Sequence, residues 1–505
     1  MAKIANQGAG LKPTKQRRKR VPKNLARPAC GEQPFAKRRP ELKGLTPAQM
    51  VLLLVESYTW KMVMRPILDA IDGERATCRD RRGGHAVYSA EQIEMALAYQ
   101  RAAGLLTYKA AYEKLCGADS EARETLGFTQ PNHKRATRNL DGVPSPAAVS
   151  RHLKRFGAER RGDAWDALAR AYRDYHLANF PEMRAESKIA HIDGTGIKIP
   201  YTAPIIDPKT DMIINAKSVT APDAGYLPPS AGEAKAGHGW NLIPISTSSG
   251  VPLAWSLPKL HESESVEATK LVLGEFAESV IPHLDREGEI GVACADGAFA
   301  APELRLALRS VGYIENIHNV SHGDSDKIRR RAAEQTELRI PIENHPTWFA
   351  NGHRELVCAC GEGIAAGRFR RLKSGRISPS VEGECPNCGS ISITSGEWKK
   401  VQNPTQYVEI DPSNPDEEPD YLFGNRLTYN HPLSSVYGNH RRGHGEGLYG
   451  TLSTRFKLIE NKRKFRTVHH ARAEVGVVFS LIHVLAMEQR KRKAQAAPAQ
   501  LALAA

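Results

Sequence analysis

What this sequence lacks narrows its class before any motif is found. No stretch approaches the roughly 18 to 20 continuous apolar residues of a membrane span. The longest candidate, Gly476 to Ala486, is short and carries Ser480 and His483. The basic N-terminus has no apolar segment behind it, so a secretory signal is not expected. Cysteine is scarce: of eight, four stand singly (Cys30, Cys78, Cys116, Cys294) and four cluster between 358 and 388. That spread excludes a secreted disulfide framework and implies a reducing cytoplasm with one metal site. Acidic residues are outnumbered, 71 Lys and Arg against 56 Asp and Glu, which leaves +15 over 505 residues. Such a field attracts polyanions, with nucleic acid or an anionic membrane surface the usual partners.

The chain is long enough to bury more than one core. Residues 1–42 are rich in Lys, Arg, Pro and Gly without hydrophobic periodicity, and Lys15 to Arg20 is a charge block. A flexible basic tail is expected there, either solvated or gripping DNA phosphates. Residues 43–182 read as helical. Thr46-Pro47 and Ser89-Ala90-Glu91-Gln92 are helix starts, and Met50, Leu53, Leu54 and Tyr58 recur at helical spacing. Ser145-Pro146 opens a helix whose Val149, Leu153 and Phe156 share one face. Arg151, Lys154 and Arg155 point elsewhere, as in a recognition helix contacting DNA or in an ordinary solvated surface helix.

After Glu186 the period changes to that of strands. Ile189 to Asp193, Gly196 to Tyr201, Gly239 to Gly250, Val251 to Ser256, Ile290 to Asp296 and Tyr313 to Ile317 are the expected strands. The first two are read as separated by a Gly-Thr-Gly turn, and residues 206–237 as a loop. Helices are expected from Ser265 to Leu284 and from Pro302 to Val311. This order predicts an α/β fold with a mixed sheet. No internal repeat is present, and the Ala-rich end, 489–505, reads as a low-complexity tail.

Two aspartates end predicted strands and each precedes glycine: Asp193-Gly194-Thr195 and Asp296-Gly297-Ala298. Asp before Gly often just caps a turn. Two carboxylates converging from separate strands, however, supply hard oxygen ligands for Mg²⁺ or Mn²⁺ and leave positions for substrate phosphate. A third acid would complete such a site. Glu446 lies in a strongly basic run with Arg441, Arg442 and Lys457, where an acid is either an ion-pair member or a metal ligand beside a phosphate-binding surface.

Taken in order, these motifs resemble the DDE transposases of bacterial insertion sequences, which share an RNase H-like catalytic core. The residues that carry the resemblance are Asp193-Gly194-Thr195, Gly237 to Ile245 with Ser249 to Ala254, Asp296-Gly297-Ala298-Phe299, and Arg441-Arg442…Glu446…Arg455-Phe456-Lys457 before the apolar helix Val475 to Leu485. The resemblance covers 186–317 and 432–486. It implies a core in two parts, 183–320 and 431–488, with Asp193, Asp296 and Glu446 as the catalytic, metal-binding triad. Arg442 and Lys457, with Arg441 beside them, would hold DNA backbone. It further implies two Mg²⁺ (or Mn²⁺) ions per site, cleavage of transposon ends and strand transfer to target DNA. Double-stranded DNA is the implied partner, a homodimer or higher oligomer the implied assembly, and the bacterial cytoplasm near the nucleoid the implied location. Many relatives carry a tight Tyr–Arg–Glu–Lys signature. Here Tyr437 precedes Glu446 by 446 − 437 = 9 residues and the next Lys is Lys457, so Glu460 is the reserve third acid. A nuclease on the same fold that does not join strands, or an inactive DNA-binding derivative, would carry the same motifs.

Between the two parts of the core, residues 321–430 form an expected insertion. It holds Cys358-Ala359-Cys360-Gly361 and Cys385-Pro386-Asn387-Cys388-Gly389. Four thiolates in two glycine-tipped knuckles suit structural Zn²⁺ in a zinc-ribbon-like module. Reduced structural cysteines or a redox pair are the other readings, and His353 is a substitute ligand.

Overall fold

The computed structural model describes residues 45–77, 88–117, 119–128, 142–199, 221, 223–227, 237–284, 291–299, 301–317, 356–357, 363–364, 381–385, 389–393, 448–459 and 465–504. The chain divides into two compact units, one of 26–320 with 437–505 and one of 1–25 with 321–436.

The larger unit opens with helices whose starts are written in local chemistry. In α1 (Pro47–Glu56) and α3 (Ala90–Ala102), Thr46 and Ser89 form capping boxes with Gln49 and Gln92. Between and after these come α2 (Tyr58–Thr77), α4 (Tyr108–Cys116), α5 (Ser120–Thr125), α6 (Pro146–Phe156), α7 (Ala158–Asn179) and α8 (Pro181–Ser187). Leu54, Trp60, Tyr99, Trp165 and Phe479 from helices, and Ile197, Trp240, Leu242 and Trp255 from strands, belong to one buried cluster. The N-terminal helices and one face of the sheet therefore share a core.

That sheet contains β1 (Ile189–Ile192), β2 (Thr195–Ile199), β3 (Gly225–Leu227), β4 (Gly237–Ser246), β5 (Pro252–Ser256), β6 (Gly291–Ala295) and β7 (Tyr313–Ile317). Its order is β2-β4-β1-β6-β7, with β3 and β5 also on β4. β4 and β5 form the expected antiparallel hairpin, whereas β1, β6 and β7 run parallel. Side chains alternate between two cores: Trp240 and Leu242 face the helical cluster, and Ile243 and Ile245 face a second cluster with Phe276, Leu304 and Tyr313. The sheet is thus α/β and mixed, as expected.

Three local differences from the sequence reading have physical reasons. First, β1 and β2 do not form a hairpin. Both lie antiparallel along β4 in one continuous register, Ile192 opposite Ile245 and Thr195 opposite Leu242, with Asp193 and Gly194 interrupting a single extended run. Second, the loop expected at 206–237 contains β3, which is too short to carry a periodic signal. Third, the helix predicted over Ser265 to Leu284 is α9 (Glu264–Leu271) followed by a π-helical stretch, Val272–Val280, and a 3₁₀ turn. Gly274 has non-helical backbone angles, which breaks the regular hydrogen-bond ladder. α10 (Pro302–Ser310) joins β6 to β7 as expected.

The last helix, α11 (Val468–Ala504), runs through the segment read as a low-complexity tail; alanine is the best helix former, so the composition sustains it. Part of it, Val468–Gln495, is long and apolar enough to cross a membrane by length and composition, but most of that window is buried inside this unit, as in a core helix. It packs along α7, and the helices touch at glycines. A Cβ on Gly476 would lie 2.6 Å from the backbone of Trp165, and one on Gly162 would lie 2.8 Å from the His469 carbonyl oxygen. Gly476→Val is therefore expected to lower unfolding free energy by about 1–3 kcal/mol through overpacking. Urea denaturation monitored by tryptophan fluorescence checks this, and an unchanged midpoint would contradict the close approach.

In the smaller unit, β8 (Leu356–Val357) pairs with β9 (Gly363–Ile364), and β10 (Val381–Cys385) with β11 (Gly389–Ile393). Cys385 stands opposite Gly389 at the closing end of the second pair.

Candidate active site at the carboxyl edge of the sheet

Ile192 of β1 is paired with Ala295 of the parallel strand β6. The next residues, Asp193 and Asp296, therefore leave neighbouring strands at the same carboxyl edge, where open α/β sheets place their ligands. Both are half-buried. One oxygen of each is engaged by its own turn: Asp193 Oδ1 accepts from the Gly194 N–H at 2.9 Å, and Asp296 Oδ1 from the Ala298 N–H at 2.9 Å. The turn-capping reading of these aspartates is thus correct as far as it goes, and it holds each carboxylate in a fixed orientation at the edge.

A further carboxylate, which the sequence reading did not single out, lies against the Gly194 turn. Glu264, the first residue of α9, accepts a hydrogen bond from Asn241 Nδ2 at 2.7 Å. Gly194 abuts its carboxylate, and a Cβ at that position would collide with it. Burial pushes the Glu264 carboxyl up; the Asn241 bond opposes this, and the charge of Asp296 adds to it. Among the described residues neither Glu264 nor Asp296 has an ion-pair partner.

Tyr449 feels the charge of these acids. It lies beside the buried Leu448, one turn before Leu452, and packs against the helical core cluster. Burial raises its phenol well above the usual range, and the charges of Asp193, Glu264 and Asp296 raise it further, so it stays protonated and a donor. Among the described residues its hydroxyl has no hydrogen-bond partner, and neither has Oδ1 of Asn241, a residue only 3% exposed.

The other expected site residues fall as follows. Arg151, Lys154 and Arg155 are exposed on α6, whose Val149, His152 and Phe156 are buried. Lys457 adopts φ 52, the only positive φ at a non-glycine position among the described residues. Glu446, the reserve Glu460, Arg441 and Arg442 lie outside the described residues, as do Cys358, Cys360, Cys388 and His353. Cys385 ends β10, with its side chain not described. Among the described residues no three His, Cys, Asp or Glu side chains are grouped so as to hold a metal ion.

Asn241 lies in the Gly237 to Ile245 run that carries the resemblance, which gives it no role of its own, and Glu264 stands one residue ahead of the helix expected from Ser265. Their meeting with Gly194 is a long-range contact with no local signature. Tyr449 follows the basic run around Glu446 in sequence, and that proximity was the signal available.

No protein-family model matches this sequence, and none of the curated proteins matches it.

Proposed function

We propose that the protein is a DNA transposase with an RNase H-like core, which cuts the ends of its element and joins them to target DNA in a metal-dependent reaction. The observation that carries this reading is the acidic edge: Asp193 and Asp296 leave neighbouring parallel strands at the same end, and Glu264 lies against the Gly194 turn. Carboxylates brought to one edge repel one another unless a proton or a cation compensates them. Their hard oxygens, and the orphaned polar atoms of Asn241 and Tyr449 next to them, fit a hydrated Mg²⁺ or Mn²⁺. The mixed sheet, with an antiparallel hairpin beside three parallel strands, supports the RNase H-like reading.

In this reading Asp193 and Asp296 are the metal ligands, and Glu446 completes the set. Bound divalent cations supply Lewis acidity for an in-line displacement at phosphorus, activating the attacking oxygen and stabilising the leaving one. The turns at Gly194 and Ala298 orient the carboxylates. No serine or tyrosine nucleophile is required. Arg151, Lys154 and Arg155 on α6, and Arg441, Arg442 and Lys457 near the third acid, neutralise DNA phosphates. Joining two ends requires at least two copies of the chain on DNA. In the smaller unit, β8–β9 and β10–β11 bracket the two cysteine pairs in sequence, which supports a Zn²⁺-binding module held by Cys358, Cys360, Cys385 and Cys388.

Lys457 offers a separable prediction. A left-handed conformation costs a non-glycine residue about 1–2 kcal/mol, and such strain is found where function holds it in place. Lys457→Gly is expected to leave thermal stability unchanged or slightly raised. It is also expected to weaken DNA binding and reduce the slope of log K against log salt by about 1. An unchanged salt slope would remove Lys457 from the DNA-contact set.

The test of the function is incubation of the purified protein with Mg²⁺ and DNA bearing the ends of its own element, followed by mapping of cut and joined products. Joined products establish transposition chemistry. Cutting without joining establishes a nuclease, and binding without either establishes an inactive derivative.

A further inference from the structure

We propose that the Tyr449 hydroxyl is a positioning donor, binding a non-bridging oxygen of the DNA phosphate held at Asp193 and Asp296. This inference rests on the active-site reading above and adds a residue that touches the substrate.

Among the described residues the buried hydroxyl has no partner, and the charges of three carboxylates act on it. A buried hydroxyl that forms no bond costs about 1–3 kcal/mol, and buried polar groups are otherwise almost always satisfied. Such a group persists where a ligand completes it. The neighbouring Asn241 spends its amide N–H on Glu264 and leaves its carbonyl oxygen unpaired. The orphaned acceptor thus lies beside Glu264, and the orphaned donor lies in the field of the same acids. A phosphate oxygen satisfies the donor, and a water of a hydrated cation satisfies the acceptor. Carboxylates alone do not explain the arrangement, because Tyr449 bonds to none of them.

The ring is held for this task. Leu448 and Leu452 are buried on either side, and the Thr451–Arg455 π turn follows directly. The hydroxyl is thus placed before substrate arrives, so little ordering entropy is lost on binding. A neutral donor also suits this position, since a phosphodiester is an anion approaching several acids. It contributes a hydrogen bond to the substrate without adding to the repulsion.

Tyr449→Phe removes only the oxygen. Wild type, Tyr449→Phe and Asp193→Asn are compared in Mg²⁺-dependent cleavage of DNA bearing the element's ends, and each is melted without DNA. The expected result for Tyr449→Phe is a melting temperature at or above wild type, because the hydroxyl makes no bond in the free protein. Its kcat is expected to fall about 100- to 1,000-fold, as when one preorganised donor is lost, with KM for DNA within about threefold. Wild-type kcat in Tyr449→Phe, with Asp193→Asn inactive, overturns this inference and leaves the site reading intact. A melting temperature several degrees below wild type also overturns it, by making the hydroxyl structural. Activity in Asp193→Asn overturns the site reading itself, and this inference with it.

Discussion

Asp193→Asn and Asp296→Asn are each expected to abolish metal-dependent DNA cleavage, by a factor on the order of 10³ or more, while leaving DNA binding in place. The magnitude follows from the role assigned to the carboxylates. A divalent cation at a reacting phosphate contributes several kcal/mol to the transition state, and each 1.4 kcal/mol is a factor of ten in rate. Asparagine keeps the acceptor that caps each turn, so the Gly194 and Ala298 N–H groups remain satisfied. It also removes one negative charge from an edge where Asp296 raises Glu264 and where Asp193, Glu264 and Asp296 all raise Tyr449. Loss of activity should therefore come with a melting temperature equal to or higher than wild type. Single-turnover cleavage and thermal melting of the same preparations check both halves. A variant that loses activity only because it melts early would not support the metal-site account.

The second large effect lies far from this edge. Glu94 of α3 is fully buried, and its carboxylate binds His152 at 2.8 Å, Arg161 at 3.0 Å and the Trp165 indole at 2.9 Å. Arg161 in turn bonds Glu474 of α11 at 3.3 Å, and Arg101 pairs with Glu474 as well. One carboxylate thus ties α3 to the basic helix α6 and to α7, and through Arg161 to α11. Glu94→Ala leaves a buried guanidinium short of its counter-charge and is expected to cost about 3–5 kcal/mol. Chemical denaturation measures that loss, and a change below about 1 kcal/mol would contradict the hub.

The same network sets a pH dependence. Burial alone would push Glu94 up, but Arg161 and His152 outweigh it and hold the carboxyl at about 2, below its ordinary 4.5. A depressed carboxylate contributes stability above about 4.5 that is lost as pH falls toward 2. His176 and His483 act in the same direction from a higher pH. They face each other at 3.2 Å with Arg490 on His176 at 2.9 Å, and burial, reinforced by neighbouring arginines, holds both below the ordinary 6.5. In the unfolded chain they take up protons once pH drops below that value, so folding weakens from about 6.5 downward. Wild type should lose stability in two stages on acidification, and the lower stage should be absent in Glu94→Ala.

Much of the sheet was legible because its strands are short apolar runs, with β1 and β6 ending at an acid and β2 at a proline. Ile189 to Ile192 and Gly291 to Ala295 are buried at every position, so hydrophobicity alone marked them and placed Asp193 and Asp296 at their ends. Capping chemistry marked α1, α3 and α6 to within a residue. What escaped is what depends on distant partners. Glu94 sits in a helix of ordinary composition, and its burial is decided by His152 and Arg161, which lie 58 and 67 residues away. Glu264 and Asn241 are 23 residues apart and meet only because β4 runs past the start of α9. β1 and β2 looked like a hairpin because Gly194-Thr195-Gly196 has turn composition. The small residue at 194 instead admits the Glu264 carboxylate beside an extended chain.

The account stands or falls on whether Asp193 and Asp296 hold a divalent cation together, and Mn²⁺ binding followed by electron paramagnetic resonance measures this directly. With the cysteine module preloaded with Zn²⁺, wild type is predicted to bind Mn²⁺ saturably at this edge, and both Asp193→Asn and Asp296→Asn are predicted to lose that binding. Equal Mn²⁺ affinity in all three proteins would contradict it.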